Sequence, residues 1–211
     1  VNIKTKFPAE QLMKSGSFVP DDFDASKWNN IEPYVNELLN RDLSCSGCLE
    51  NLIGDASNLA EHISETGALL YIGMTCDTES QEKRDSFMEF VENVRPKLSE
   101  FSDSLNKRIV GHQSVGDLPP RYDLMIKGMR NDIEIFRKEN IPLGVEQTRL
   151  VTEAQTINGA MTVMFEGEEK TLPQMRGYME SNEREIRESA WKAVVDRRGI
   201  DSERLSEIFD E

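Results

Sequence analysis

Histidine is almost absent from this chain: of 211 residues only His62 and His112 are histidine, fifty positions apart. A helical metal-assisted hydrolase needs two histidines one turn apart, so that both ring nitrogens face one ion, with a glutamate placed to activate water. Here His62 is followed by Ile63-Ser64-Glu65-Thr66, and a threonine stands where the second ligand would be. A lone histidine on a helix flank reads as a partly exposed polar residue. These positions therefore supply no such site, and we assign the chain neither a catalytic residue nor a metal ligand.

Cysteine is nearly as scarce. Three cysteines, an odd count at low density, argue against a secreted disulfide framework and fit a reducing compartment. Cys45-Ser46-Gly47-Cys48 has the spacing of a redox dithiol or of half a zinc site. It falls between two helical patterns rather than after a strand of a βαβ unit, and the candidate further ligands His62 and Cys76 are widely separated. The expectation is two cysteines filling a helix junction as small hydrophobes. Elbow-serine, P-loop and G-x-G-x-x-G patterns are missing, so acyl transfer through such a serine and nucleotide chemistry lack support. No stretch approaches the roughly 20 consecutive apolar residues of a membrane span. The start Val1-Asn2-Ile3-Lys4-Thr5-Lys6 has no apolar core followed by a small-residue cleavage site. Basic residues are the minority, 25 against 39 acidic, for a formal net charge of -14. That balance repels phosphate backbones and anionic lipid. The reading is a cytoplasmic protein with no nucleic-acid partner and no membrane partner.

What the chain does have is helical periodicity. With 37% hydrophobic and 30% charged residues it holds enough apolar material for one large core or two small ones. Residues 1–24, with Phe7-Pro8, Ser15-Gly16-Ser17 and Pro20, read as an extended arm. A region 25–110 follows. Ser26 is placed to cap a first helix through Trp28, Ile31, Val35, Leu38 and Leu39, with Pro33 near its first turns and an end by Ser44. A second helix runs from Leu49 to Leu70. A third runs from Phe87 to Ile109 as its antiparallel partner, with a kink or break expected at Pro96. Gly111 to Pro120 reads as a linker, and 121–211 as a second, helical region. In it Tyr122, Met125, Met129, Ile133 and Phe136 mark one helix, and Pro142 to Ile157 another that stops at Gly159. Met161, Val163 and Phe165 then alternate, Glu166-Gly167-Glu168-Glu169 offers a turn, and Lys170-Thr171-Leu172 returns, which places a hairpin near 161–172. Pro173 opens a helix, Asn182 with Glu185 forms a capping box for one carrying Ile186, Ala190, Trp191 and Val194, and Asp201 or Ser202 opens a last one. The fold class is mainly α: an antiparallel long-helix bundle followed by a helical subdomain with one small β-hairpin.

Two further patterns have plain readings. Glu183-Arg184-Glu185-Ile186-Arg187-Glu188 alternates sign as a solvated helix face does. Met125, Met129, Met161, Met164, Met175 and Met179 crowd the second half; flexible thioethers suit an adaptable peptide channel, but at this spacing core packing is the stronger reading.

Three runs are more specific: Phe136-Arg137-Lys138-Glu139-Asn140-Ile141-Pro142-Leu143, Asn158 to Met175, and Glu183 to Trp191. With weaker similarity through Ala68 to Thr78, they make the chain resemble the oligoendopeptidase F family, relatives of thimet oligopeptidase, over most of residues 25–211. The resemblance implies a mostly helical, two-lobed peptidase around a deep channel. In that family a single zinc, held by an H-E-x-x-H helix and a downstream glutamate, cleaves short peptides. Those residues belong to the family's carboxy-terminal half, and none maps onto this sequence. Family members are more than twice this length, so the chain is expected to be the amino-terminal, non-catalytic lobe. Its expected partners are a carboxy-terminal zinc peptidase domain and short peptide substrates, with no cofactor in the chain itself and zinc in the full-length enzyme.

The alternation from Gly159 to Phe165 suggests that Gly159, Ala160, Met161, Thr162 and Val163 bind substrate, as an edge strand on which an extended peptide pairs its backbone. The bland counterpart is a hairpin that braces the lobe. Uncovered apolar surface would also allow a homo-oligomer. Two other classes stay open: a stand-alone helical peptide- or protein-binding module, and a small metal or redox protein built on Cys45 and Cys48.

Overall fold

The computed structural model describes residues 17–45 and 47–211, so most of the expected arm lies outside the described residues. The chain divides into two compact units, residues 1–68 with 93–138, and 69–92 with 139–211. The fold is mainly α with one small two-stranded sheet, as the sequence predicts.

The first unit contains α1 (Trp28–Asn40), the residues of α2 (Cys48–Cys76) up to Ala68, α4 (Arg95–Val110) and α5 (Asp123–Ile135). Helix α1 buries Ile31, Val35 and Leu38, one stripe at steps of four and three. Pro33 lies inside it and removes one backbone bond, leaving the carbonyl of Asn29 to water at an exposed residue. The expected cap at Ser26 is not formed. Instead, Asp24 Oδ1 accepts from the Ser26 N–H at 2.9 Å, and Asn30 Nδ2 donates to the Asp24 carbonyl at 3.0 Å. Helix α4 packs on both α1 and α5. Residues 17–24 carry no helix or strand, yet Val19 is fully buried, and its N–H donates to Asn58 Oδ1 of α2 at 3.1 Å. Gly111 to Pro120 joins α4 to α5 within this unit through a 3-10 turn, Gln113–Asp117.

The long third helix of the sequence reading is two helices, α3 (Gln81–Asn93) and α4, broken at Val94. Pro96 explains it. Lacking an N–H, it cannot bond the carbonyl of Glu92, and it sits instead at the second position of α4, where no donor is required.

The second unit holds the end of α2, α3, α6 (Asn140–Gly159), β1 (Thr162–Phe165), β2 (Glu168–Thr171), α7 (Leu172–Met179), α8 (Arg184–Ile200) and α9 (Ser202–Asp210). One core patch joins Met74, Phe87 and Val91 to Leu70, Met88 and Val145. Another sets Val163 and Phe165 of β1 against Met175 of α7 and Ala190 and Val194 of α8. The hairpin turn is tighter than the expected four residues. Glu166 and Gly167 both take positive φ, 53° and 83°, the two-residue geometry whose twist matches the strands, and Phe165 pairs with Glu168. Thr171 and Gln174 form the capping box of α7: Thr171 N–H donates to Gln174 Oε1 at 2.8 Å and its hydroxyl accepts from Gln174 N–H at 3.4 Å. The box expected from Asn182 and Glu185 is not formed, because α8 begins one residue later, with Glu183 as an N-cap that has no side-chain bond. Trp191 also differs from its expected place in the apolar seam. It is 58% exposed, one step around the helix from Ala190 and Val194, which bury the stripe.

Candidate functional site

The residues singled out for substrate lie where α6 passes into β1. Gly159 ends α6, and Ala160 continues in right-handed helical geometry, its N–H donating to the Thr156 carbonyl at 3.1 Å. Glycine here meets a tight space rather than a left-handed backbone. A Cβ on Gly159 would stand 3.1 Å from Cγ2 and 3.2 Å from Oγ1 of Thr78. Thr78 is held in turn by Arg84, which donates to its carbonyl at 2.7 Å.

The five residues do not converge on one point. Ala160 is exposed, while Met161 and Val163 are buried, Val163 in the core against α8. Thr162 donates from its hydroxyl to Glu169 Oε1 of β2 at 2.7 Å. What β1 offers outward is backbone, because β2 pairs with one of its edges and no strand pairs with the other among the described residues. Met164, 69% exposed, is its outward apolar side chain.

Gly159 also borders an open groove of about 1170 Å³. Helices α6 and α9, which pack together, supply most of its wall: Leu143, Val151 and Ala154 from one, Leu205, Ile208 and Phe209 from the other. Carboxamides of Asn140, Gln147 and Asn158 punctuate this apolar lining. Gln155 donates from Nε2 to the Tyr71 hydroxyl at 3.0 Å, which leaves its buried Oε1 without a protein partner. A shallower cleft of about 670 Å³ shares Asn158, Leu205 and Phe209 and adds Met161, Arg198 and Ser202. Helix α9 is fixed to α6 by a fork: Arg204 Nε and Nη2 donate to the two carboxylate oxygens of Glu153 at 2.7 and 2.9 Å. That bond holds the Glu153 carboxyl below the usual carboxylate range.

The sequence reading missed this wall. Leu205, Ile208 and Phe209 follow the i, i+3, i+4 spacing of an apolar stripe, which was available as a signal. The methionines divide: Met161 and Met175 are buried, as core filling expects, and Met164 is not.

Outside the groove lining, several carboxylates are engaged by neighbours. Asp24, Asp42, Asp77, Glu153, Glu168 and Glu188 all have their carboxyl groups shifted down by hydrogen bonds or a basic partner. Both histidines have local roles. His62 meets the ring of Phe23 edge-on with centroids 6.2 Å apart, and His112 Nδ1 accepts from the Ser114 N–H at 3.2 Å to cap the 3-10 turn. No group of three or more His, Cys, Asp or Glu side chains able to hold a metal ion occurs among the described residues. Among them, also, no helix is long and apolar enough to cross a membrane.

The cysteine pair departs from its expectation. Cys45 and Cys48 are joined by a disulfide with Cα atoms 5.3 Å apart, and Cys45 is exposed rather than packed. The turn before α2 brings the two backbones within bridging range.

Comparison with known proteins finds this fold in solved structures but no match by sequence. No protein-family profile and no curated protein match the sequence. Three solved structures match its fold at 18% identity. One is an oligoendopeptidase F from crystals grown by microfluidic seeding, with a TM-score of 0.81 over 93% of this chain and 35% of that one. Another is PZ peptidase A with an inhibitor, at 0.81 over 92% and 35%. The third is an oligoendopeptidase F from Bacillus anthracis strain Ames, at 0.82 over 93% and 37%. The chain thus shares its fold with a little over a third of the length of each.

Proposed function

We propose that this chain is the amino-terminal, non-catalytic helical lobe of a zinc-dependent oligoendopeptidase, shaping the channel by which short, unfolded peptides reach a metal held elsewhere in the polypeptide. The observation that carries this reading is the fold match over 92–93% of the chain to about a third of two oligoendopeptidases F and of PZ peptidase A. Among the described residues no group of His, Cys, Asp or Glu is arranged to hold the zinc. Zinc would belong to a carboxy-terminal peptidase domain, the expected partner of this lobe, and the compartment we assign is the cytoplasm.

Within the lobe, backbone from Gly159 to Val163 is the proposed contact for an extended substrate, with its free β1 edge as the pairing surface. A peptide added there would gain main-chain hydrogen bonds without demanding particular side chains, which suits many short sequences. The test is the reading frame after Glu211 together with peptide binding. An in-frame H-E-x-x-H helix supports the proposal, and a Thr162→Pro variant, which removes a backbone donor facing away from β2, is expected to weaken short-peptide binding to the extended protein. A frame that stops without such a helix refutes the lobe assignment.

A second reading, a stand-alone helical peptide- or protein-binding module, is favoured by the open α6–α9 groove with its apolar and carboxamide lining. It predicts micromolar or tighter capture of a partner by the isolated chain, in an assay where the first reading predicts none.

A further inference from the structure

The cysteine bridge lies outside everything the peptidase reading uses. We propose that Cys45–Cys48 is a thiol–disulfide exchange site, opened by small-molecule thiols and closed again by small-molecule disulfides, on the outside of the corner between α1 and α2.

The two sulfurs are not equivalent. Cys45 is exposed on the turn, whereas Cys48 is half-buried and is the first residue of the 29-residue α2. Gly47, at φ 83°, reverses the chain between them, and the Cys48 N–H donates to the Cys45 carbonyl at 3.2 Å. An incoming thiolate reaches the open sulfur of Cys45. The better leaving group is Cys48, because the unpaired N–H groups of a helix's first turn stabilise a thiolate there. Nearby acids are already engaged: Asp42 accepts from the Ser44 N–H and hydroxyl at 3.0 and 2.8 Å, and Glu50 from Arg121 and the Tyr122 hydroxyl.

The exchange balances in two steps. A thiolate bonds to Cys45 Sγ while the Cys45–Cys48 bond breaks with its electron pair on Cys48 Sγ, which is released as thiolate. A second thiolate then attacks the small-molecule sulfur of the mixed disulfide and frees Cys45 as thiolate. Two thiols have become one disulfide, and their two electrons have reduced the bridge.

The corner is built to survive opening. Leu43 and Leu49 are buried on either side of the pair, and Arg41 bridges Glu37 and Asp55 at 2.8 and 2.6 Å. These contacts hold the junction without the sulfur bond.

The test uses the 211-residue chain with Cys76→Ser, which removes the third, exposed thiol. The protein is equilibrated in mixtures of reduced and oxidised glutathione, quenched in acid, alkylated and weighed intact, with far-UV circular dichroism recorded in parallel. The pair is expected to interconvert reversibly between dithiol and disulfide with unchanged helix content. In single variants, Cys48 of Cys45→Ser is expected to be alkylated with a lower apparent pKa than Cys45 of Cys48→Ser, as a thiolate stabilised at a helix N-terminus requires. A pair that stays fully oxidised or fully reduced across all mixtures, equal apparent pKa values in the two single variants, or loss of helix on reduction would each overturn the proposal.

Discussion

Met175 is the residue on which the hairpin and α8 close, so Met175→Ala is the sharpest probe of the second unit. Its side chain is 0% exposed, between Val163 and Phe165 of β1 and Ala190 and Val194 of α8. Truncation removes three buried heavy atoms, worth about 0.8 kcal/mol each in transfer, or about 2.4 kcal/mol. The cavity left behind adds to this, and buried methionine-to-alanine changes as a class span about 2–5 kcal/mol, so we expect about 3 kcal/mol. The control is Met164→Ala on the same strand. Because successive strand residues face opposite ways and Met164 is 69% exposed, its loss is expected to stay within about 0.5 kcal/mol. The two tryptophans make the assay specific, since Trp28 lies in the first unit and Trp191 in the second. Urea denaturation followed by Trp191 fluorescence in a Trp28→Phe background reads the second unit. A Met175→Ala cost below about 1 kcal/mol, or a Met164→Ala cost equal to it, would refute the inward-outward assignment of β1.

Other outcomes follow from single contacts. Glu166→Asn is expected to raise stability by about 0.5–1 kcal/mol, since Glu166 holds φ 53° in a turn that favours asparagine, and an unchanged urea midpoint would contradict the turn geometry. Arg204→Ala should leave the urea midpoint nearly unchanged, both partners of the fork being substantially exposed, yet speed amide exchange across 202–210; unchanged exchange there contradicts the tether. Asp24 is held below the usual aspartate range chiefly by its hydrogen bonds with Ser26, so its stabilising contribution is present above the unfolded value of about 3.9 and is lost as pH falls through the lower folded value. Urea midpoints at pH 5 and pH 3 should thus fall more for the native chain than for Asp24→Asn, by less than about 1 kcal/mol. Phe209→Asp, at a residue 90% exposed, should leave the midpoint within about 0.5 kcal/mol; a destabilised variant contradicts the open groove.

Much of the helix pattern was legible because one-sided apolar stripes survive in the sequence. Ile31, Val35 and Leu38 read as α1, and Pro96 announced the α3–α4 break from its missing N–H alone. Caps were less legible. Ser26 and the Asn182 and Glu185 pair have suitable side chains, but capping is decided by backbone geometry within one residue, and the chain enters α1 and α8 one step away from them. Helix α6 hid the groove. It presents Val145 to one core patch and Val151 to the groove, so its apolar residues surround much of the cylinder and periodicity alone assigns neither face. Gly159 read as a helix stop, which it is, but its steric role depends on Thr78, eighty-one positions away. The bridge at Cys45 and Cys48 likewise depends on a turn that their spacing permits and does not require.

The assignment as a non-catalytic lobe is tested most directly by hydrolysis of an internally quenched short peptide with added zinc. The 211-residue chain is compared with the same chain extended through its downstream coding sequence. The account predicts no cleavage by the chain alone and chelator-sensitive cleavage by the extended protein. Chelator-sensitive cleavage by the 211 residues on their own would contradict it.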